Sequence, residues 1–161
     1  MFRQSLSKAG REEVVLRKAY QNECVTLRLS SGIGEKERVP QFSGLNWGQR
    51  LGRNQDQAYL SVPAEIQRSG FFPDEGVFFT IRSDDGEQWG CARRQANGKA
   101  IHTIESNAIL GRYFRRRLGL ENGELVVLSH LLRYGRTSID VYRDDLADYY
   151  LDFAVSATNG T

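Results

Sequence analysis

Cysteine is scarce in this sequence, and its positions argue against a metal site or a cross-link. Cys24 and Cys91 are the only two cysteines, and neither has a partner at the spacing of a zinc-binding motif. Both fall in segments that we predict to be strands. We therefore expect two buried free thiols, which give no indication of redox chemistry.

Long hydrophobic runs are also absent from the sequence. No segment approaches the roughly 18 apolar residues of a membrane-spanning helix, and the opening MFRQSLSKAG lacks the apolar core of a signal peptide. We therefore expect a soluble, cytoplasmic protein that does not bind membranes. The length and the 40% hydrophobic content suit one folded domain. We place it at residues 24–155, between an N-terminal extension or linker (1–23) and a tail (156–161).

Lysine is scarce as well, although the chain is basic. The sequence has 4 Lys against 18 Arg, and its net charge is +2. Arginine's planar guanidinium adds bidentate recognition of phosphate and of guanine edges to simple charge attraction. Residues 137–161 carry one Arg and five Asp, so the acidic end is expected to face away from any polyanion.

Strand signals dominate the pattern of the chain. Asp85-Gly86 and Asn97-Gly98 are typical of tight hairpins, and they bracket residues 89–95 as the middle strand of an antiparallel meander over 77–104. Between the first two strands, residues 31–57 show no periodicity, and a connection of that length is usually functional. Further strands are predicted at 24–30, 58–62, 124–128, 137–142 and 149–153.

Helix signals are fewer. Pro63 opens and Gly70 closes a short helix at 64–69, and Ser106 or Asn107 caps a longer one that Gly119 ends after residue 118. A third short helix is predicted at 130–134. The expected fold is mainly β, a β-rich α+β domain. It is an open antiparallel pseudobarrel of seven or eight strands with two or three short helices.

Seven segments of the sequence resemble a known family when they are taken in order. They are VPQFSGLNWGQR, RNQDQAYLSVP, FFPDEGVFFTIRSDDG, QANGKAI, LGRYFRRRLGL, LLRYGRTSIDVY and YYLDF. Residues 25–153 resemble the C-terminal region of NgoFVII-type restriction endonucleases, whose N-terminal part is a phospholipase-D-like nuclease. The resemblance implies a sequence-specific DNA-binding pseudobarrel related to the plant B-three transcription-factor domain.

The resemblance also implies how such a domain binds. It contacts the major groove of double-stranded DNA with two arms, one between the first two strands and one between the fourth and fifth. On the predicted strand order these arms fall at residues 43–56 and 93–99. A phospholipase-D-like nuclease domain, in the same or a companion chain, is the implied partner.

Both arms carry side chains of types that pair with base edges. Arg pairs with guanine, Asn or Gln with adenine, and Asp with the cytosine amino group. Trp47 is equally compatible with a core position, and Asn97 with a purely structural turn. The predicted DNA contacts are Asn46, Trp47, Gln49, Arg50, Arg53, Asn54 and Asp56 in the first arm and Arg93, Arg94, Gln95, Asn97 and Lys99 in the second.

Strand alternation limits the second arm. It places Arg93 and Gln95 on one face with Trp89 and Cys91, and Arg94 on the opposite face, so these side chains cannot all contact bases.

The predicted helix at 107–118 carries a run of arginines, which is usually a solvated face. Its apolar stripe leaves Arg112, Arg115 and Arg116 off the core-facing side. We expect one or two basic residues of this region to contact phosphate, which positions a protein without specifying sequence. The candidates are Arg112 and Arg116, with Arg115, Arg117, Arg133 and Arg136 as alternatives.

Neither common nuclease site is present in the sequence. A phospholipase-D-type site needs a histidine followed two residues later by lysine, and His102 and His130 are followed there by Ile104 and Leu132. An acid-x-Lys step is missing at all four lysines, which follow Leu6, Leu16, Gly34 and Asn97 by two residues.

We therefore predict no catalytic residue, no metal and no cofactor. Two alternatives stay open. One is a small metal-dependent nuclease with an unfamiliar site at Asp84, Asp85 and Glu87, and the other is an adaptor barrel that binds RNA or protein.

Overall fold

A computed structural model of the chain describes residues 23–155. The predicted tail, and the predicted N-terminal extension apart from Glu23, lie outside this range. The strands are β1 (Cys24–Arg28), β2 (Leu60–Ser61), β3 (Phe79–Ser83), β4 (Gln88–Arg94), β5 (Ala100–Thr103), β6 (Ser138–Asp145) and β7 (Asp148–Asp152). The helices are α1 (Ala64–Ser69), α2 (Asn107–Leu118) and α3 (Leu128–Tyr134), with short 3-10 turns at Gly34–Lys36, Gly44–Gln49 and Ala96–Gly98.

The seven strands form one sheet in the order β1-β6-β7-β3-β4-β5-β2. The sheet curls until its edge strands β1 and β2 approach each other, which makes a nearly closed barrel. The predicted β-rich pseudobarrel is confirmed. One pairing departs from the antiparallel expectation, because β3 and β7 run parallel, with Ile81 opposite Tyr149.

Local signals in the sequence located several elements correctly. Helix α2 begins after Ser106, whose side chain accepts a hydrogen bond from the Ala108 amide, and it ends at Gly119 with a φ of 73°. Helix α1 occupies the predicted residues, and β3, β4 and β5 form the predicted meander.

The strand predicted at 124–128 is wrong. Residues 124–127 are irregular and α3 begins at Leu128. The physical reason is that the Val126 amide and carbonyl bond to the Asn46 side chain, at 2.9 and 2.7 Å, and so do not join a sheet ladder.

The barrel interior is a single apolar core. Ile81, Leu151 and Val141 from three strands are fully buried, and α2 adds Phe114 and Leu118 to the same core. Cys91 is buried among them, and this burial raises the pKa of its thiol to about 12. The prediction of a buried Cys24 is wrong, because that residue opens edge strand β1 and is exposed.

Two arginines of α2 are buried, contrary to the prediction of a solvated arginine face. Arg117 lies 2.5 Å from the Asp84 carboxylate and donates to the hydroxyls of Tyr113 and Tyr134. Burial raises the pKa of Asp84 above its ordinary value even though Arg117 opposes the shift. This network joins α2 to the β3–β4 turn and to α3, so Arg117 belongs to the packed interior.

Arg115 is the second buried arginine. It donates to the carbonyl oxygens of Leu45, Gly111 and Glu124 at 2.8–3.3 Å. The prediction that Arg115 lies off the buried face is wrong, because the connection between β1 and β2 and the residues after α2 cover that side of the helix. Arg115 therefore supports the segment that contains the first predicted arm.

Candidate nucleic-acid interface

The first arm, residues 43–56, is anchored by a buried asparagine. Asn46 is 0% exposed. Its amide nitrogen donates to the Pro40 and Val126 carbonyls at 2.8 and 2.7 Å, and its oxygen accepts from the Val126 amide at 2.9 Å. The side chain is fully engaged inside the protein, so Asn46 stabilises the arm and is not available to bases. This corrects its predicted role.

Two more predicted base contacts belong to the same anchor. The Asp56 carboxylate is buried; it accepts from the Gly123 amide at 2.6 Å and from Arg112 Nε at 3.3 Å, and lies 3.6 Å from Arg115 Nε. Gln49 donates to the carbonyl oxygens of Gln55 and Gly123, both at 3.1 Å. Asp56 and Gln49 therefore fasten the base of the arm to the loop after α2.

Beyond this base, the tip of the first arm is exposed. Arg50 donates from Nε to the Phe42 carbonyl at 2.8 Å, which orients its guanidinium. Arg53 lies 3.8 Å above the Trp47 ring and donates to the Gln57 side chain at 2.9 Å. Residues 50–55 are all exposed to solvent, and the Asn54 side-chain oxygen accepts a hydrogen bond from the Asp56 amide at 2.9 Å.

Leu51 was missed by the sequence reasoning. Its side chain is fully exposed, at 104%, in the turn that follows Arg50. The sequence signal for Leu51 is a single apolar residue within a polar stretch. An apolar side chain at such a position is able to contact a thymine methyl group or the face of a base.

Arg93 stabilises the second arm, residues 93–99, through hydrogen bonds to backbone carbonyl groups. This side chain is buried and donates to the carbonyl oxygens of Pro73, Asn97 and Gly98 at 3.0–3.1 Å. A methyl group on Gly98 would lie 2.8 Å from the Arg93 guanidinium, and the φ of Gly98 is 64°, so glycine is required there. The prediction that Arg93 contacts bases is corrected to a structural role.

Gln95 leaves the face that strand alternation predicted for it. Its φ of 68° and ψ of 178° interrupt the strand conformation after β4, where the Ala96–Gly98 turn follows. The amide nitrogen of its side chain lies 3.1 Å from Nε2 of His102. His102 stands on the opposite sheet face to the core residue Ile101. The prediction that Arg93 and Gln95 share one sheet face is therefore wrong. Arg94, Asn97 and Lys99 are exposed.

An aromatic junction of Trp47, Tyr59 and His102 connects the two arms. The ring centroid of Trp47 lies 5.4 Å from that of Tyr59 and 5.0 Å from that of His102. Trp47 is only 9% exposed, so of the two roles considered it takes the packing one. Burial, together with the charges of Arg94 and Arg53, lowers the pKa of His102. Tyr59 and His102 had no arm role in the sequence reasoning.

The two main phosphate-contact candidates of α2 face carboxylates. Arg112 pairs with Asp56 at 3.3 Å, and Arg116 pairs with Asp85 at 2.7 Å and with Glu87. Their side chains are 50% and 42% exposed, but acidic partners offset their charge. The helix therefore offers less attraction to a polyanion than the arm tips do.

The exposed part of both arms is basic. Arg50, Arg53, Arg94 and Lys99 are exposed, and Asp56, the one acid within the two segments, is buried. A nearly closed barrel with exposed basic residues on two connections is an architecture that suits nucleic-acid binding. A sequence model of the family described as NgoFVII C-terminal B3-like DNA-binding domain matches residues 19–145. The chain belongs to this family and is a DNA-binding domain.

A search among curated proteins gave no match. Within residues 23–155, no helix is long and apolar enough to cross a membrane. The same part of the chain has no group of three or more His, Cys, Asp or Glu side chains arranged to hold a metal ion.

Proposed function

We propose that this chain is the sequence-specific recognition module of a restriction endonuclease. It contacts the major groove of double-stranded DNA with its two arms. Cleavage is left to a phospholipase-D-like nuclease domain in the same or a companion chain. The observation that carries the proposal is the pair of exposed basic arm tips joined through the junction of Trp47, Tyr59 and His102.

The construction of the arms supports base recognition over simple charge attraction. A buried base holds each tip, through Asn46 and Asp56 in the first arm and Arg93 in the second. Rigid support of this kind reduces the entropy lost when a side chain is fixed against a base. Guanidinium groups at Arg50, Arg53 and Arg94 suit guanine or phosphate, and the amides of Asn54 and Gln95 suit adenine.

The surroundings of the acidic and histidine residues support a role without catalysis. Asp84 is paired with Arg117, and Arg116 bridges Asp85 and Glu87, so guanidinium groups stand where the alternative nuclease site would need a cation. His130 accepts from the Val127 amide at the start of α3, at 3.0 Å. These contacts give each group a structural function.

Selection of bound sites from a random duplex pool tests this function. We expect a short consensus and a preference for duplex over single-stranded DNA and RNA of the same sequence. A protein that enriches no consensus would be a nonspecific basic protein. Magnesium-dependent cleavage by the purified chain, lost in Asp85→Ala, would instead establish the alternative of a small nuclease.

A further inference from the structure

Gln95 occupies backbone geometry that favours glycine. Its φ of 68° with ψ of 178° lies in a region that side-chain-bearing residues avoid. Arg93 maintains the turn by binding the Asn97 and Gly98 carbonyls, while the Gly98 amide donates to the Gln95 carbonyl at 2.9 Å. A glutamine in such a strained conformation indicates that its side chain has a function that glycine would lack.

The geometry turns the Gln95 side chain toward His102. The two side-chain nitrogens are 3.1 Å apart, and among the described residues this is the only side-chain hydrogen bond of Gln95. One of the two nitrogens must accept, and an amide nitrogen only donates. His102 therefore accepts through Nε2 as a neutral ring, with its proton on Nδ1.

The surroundings of His102 favour that neutral ring. Its ring packs against Trp47 and Tyr59, with centroid distances of 5.0 and 5.9 Å. The charged groups that act on it are Arg94 from β4 and Arg53 from the first arm. Both are cations, so they oppose its protonation, and partial burial acts in the same direction by lowering the pKa of the ring.

The hydrogen bond leaves two recognition groups on Gln95. The amide oxygen remains an acceptor and the second N–H remains a donor. In the major groove, adenine presents the matching pair, an N6 donor and an N7 acceptor. We propose that His102 is a positioning residue that fixes the Gln95 amide so that Gln95 recognises one adenine. This inference rests on the proposed function and names the base class that the second arm selects.

Gln95→Gly separates this role from a structural one. The full 161-residue chain is used, with the consensus duplex obtained by selection and a set of duplexes that each change one base pair of it. We expect the variant to unfold at a higher urea concentration because glycine accepts the positive φ. Discrimination at one adenine should nevertheless fall about tenfold, while the other positions keep their preferences.

Two substitutions of His102 form a matched pair. His102→Phe keeps an aromatic ring against Trp47 and Tyr59 but removes the acceptor. His102→Gln removes the ring but provides an acceptor oxygen. We expect His102→Phe to lose discrimination at the same adenine as Gln95→Gly, and His102→Gln to retain more of it. The double variant Gln95→Gly, His102→Phe should lose no more than either single variant, because the two residues act as one unit.

Three results would overturn the assignment. A wild-type consensus that Gln95→Gly and His102→Phe leave unchanged would remove this pair from recognition while sparing the proposed function. Loss of preference at a base pair other than adenine would refute the base class. A wild-type chain without any consensus would overturn the proposed function and this inference together.

Discussion

Asn46 and Val126 stand 80 residues apart in the sequence and exchange two hydrogen bonds in the folded protein, at 2.9 and 2.7 Å. This pairing attaches the first arm to the loop that precedes α3. It also turns an apparent strand at 124–128 into irregular backbone, because a side chain satisfies the peptide groups that a neighbouring strand would have bonded.

Asn46→Ala tests that anchor. The substitution leaves the Val126 amide and carbonyl buried without partners, and we expect the free energy of unfolding to fall by about 2–4 kcal/mol. Urea unfolding followed by circular dichroism measures the change. Asn122→Ala, at an exposed asparagine in the same loop, is the control and should stay within about 0.5 kcal/mol of the wild type. A stable Asn46→Ala protein with altered base preference would return Asn46 to the list of base contacts.

Arg50→Ala tests direct recognition by the first arm. The exposed guanidinium, oriented by the Phe42 carbonyl, should contribute about 1–3 kcal/mol to binding of the selected duplex and determine preference at one base pair. Titration of selected and random duplexes measures both effects. Arg68→Ala removes the same charge from α1, outside both arms, and should leave base preference unchanged. Equal losses for Arg50→Ala on both duplexes would limit Arg50 to phosphate contact.

Arg117 and its neighbour Arg116 offer a comparison of buried and exposed ion pairs. Arg117→Ala leaves Asp84 buried without its cation and should destabilise the protein by about 3–5 kcal/mol. Arg116→Ala breaks half-exposed pairs with Asp85 and Glu87 and should cost about 1 kcal/mol or less. Because carboxylates already offset Arg116, its loss should leave the salt dependence of DNA affinity unchanged. A salt slope that decreases by about one unit would identify Arg116 as a phosphate contact.

The folded state lowers the pKa of His102 and of His130, chiefly through burial. A histidine whose pKa is lower in the folded than in the unfolded protein favours folding while it is neutral. Its contribution to the free energy of unfolding is therefore present above the unfolded pKa of about 6.5 and is lost as pH falls through the folded pKa. We expect stability to decline from pH 7.5 to pH 5. In His102→Phe this decline should be shallower in urea titrations at each pH. An identical decline in both proteins would show that other groups cause it.

Short-range signals in the sequence were sufficient for much of the fold. Ser106 and Gly119 bound α2 through the capping geometry that their residue types favour, and the Asp85-Gly86 pair predicts the turn that joins β3 to β4. These features depend on neighbours within a few residues. The strand order also locates the two segments that the resemblance assigns to the arms, between β1 and β2 and between β4 and β5.

The chemical role of each arm residue was harder to predict. Asn46 and Asp56 have the residue types of base-contacting side chains, and only their distant partners Val126 and Gly123 show them to be anchors. The positive φ of Gln95 has no signature in a residue type that normally avoids it. The sequence gives no signal for the role of Gly111 either, although a methyl group there would lie 1.6 Å from the Asp56 carbonyl oxygen.

The separation of the first arm into a buried base and an exposed tip has a consequence for how such a domain changes its target. Substitutions at 50, 51 and 53 alter groups that face solvent, and the hydrogen bonds of the Asn46 side chain and of the Asp56 carboxylate do not depend on them. For the proposed recognition module, sequence preference is therefore able to diverge in a library randomised at these three positions, at little cost in folding. On the first arm, retargeting therefore concerns three surface side chains above a base of buried hydrogen bonds.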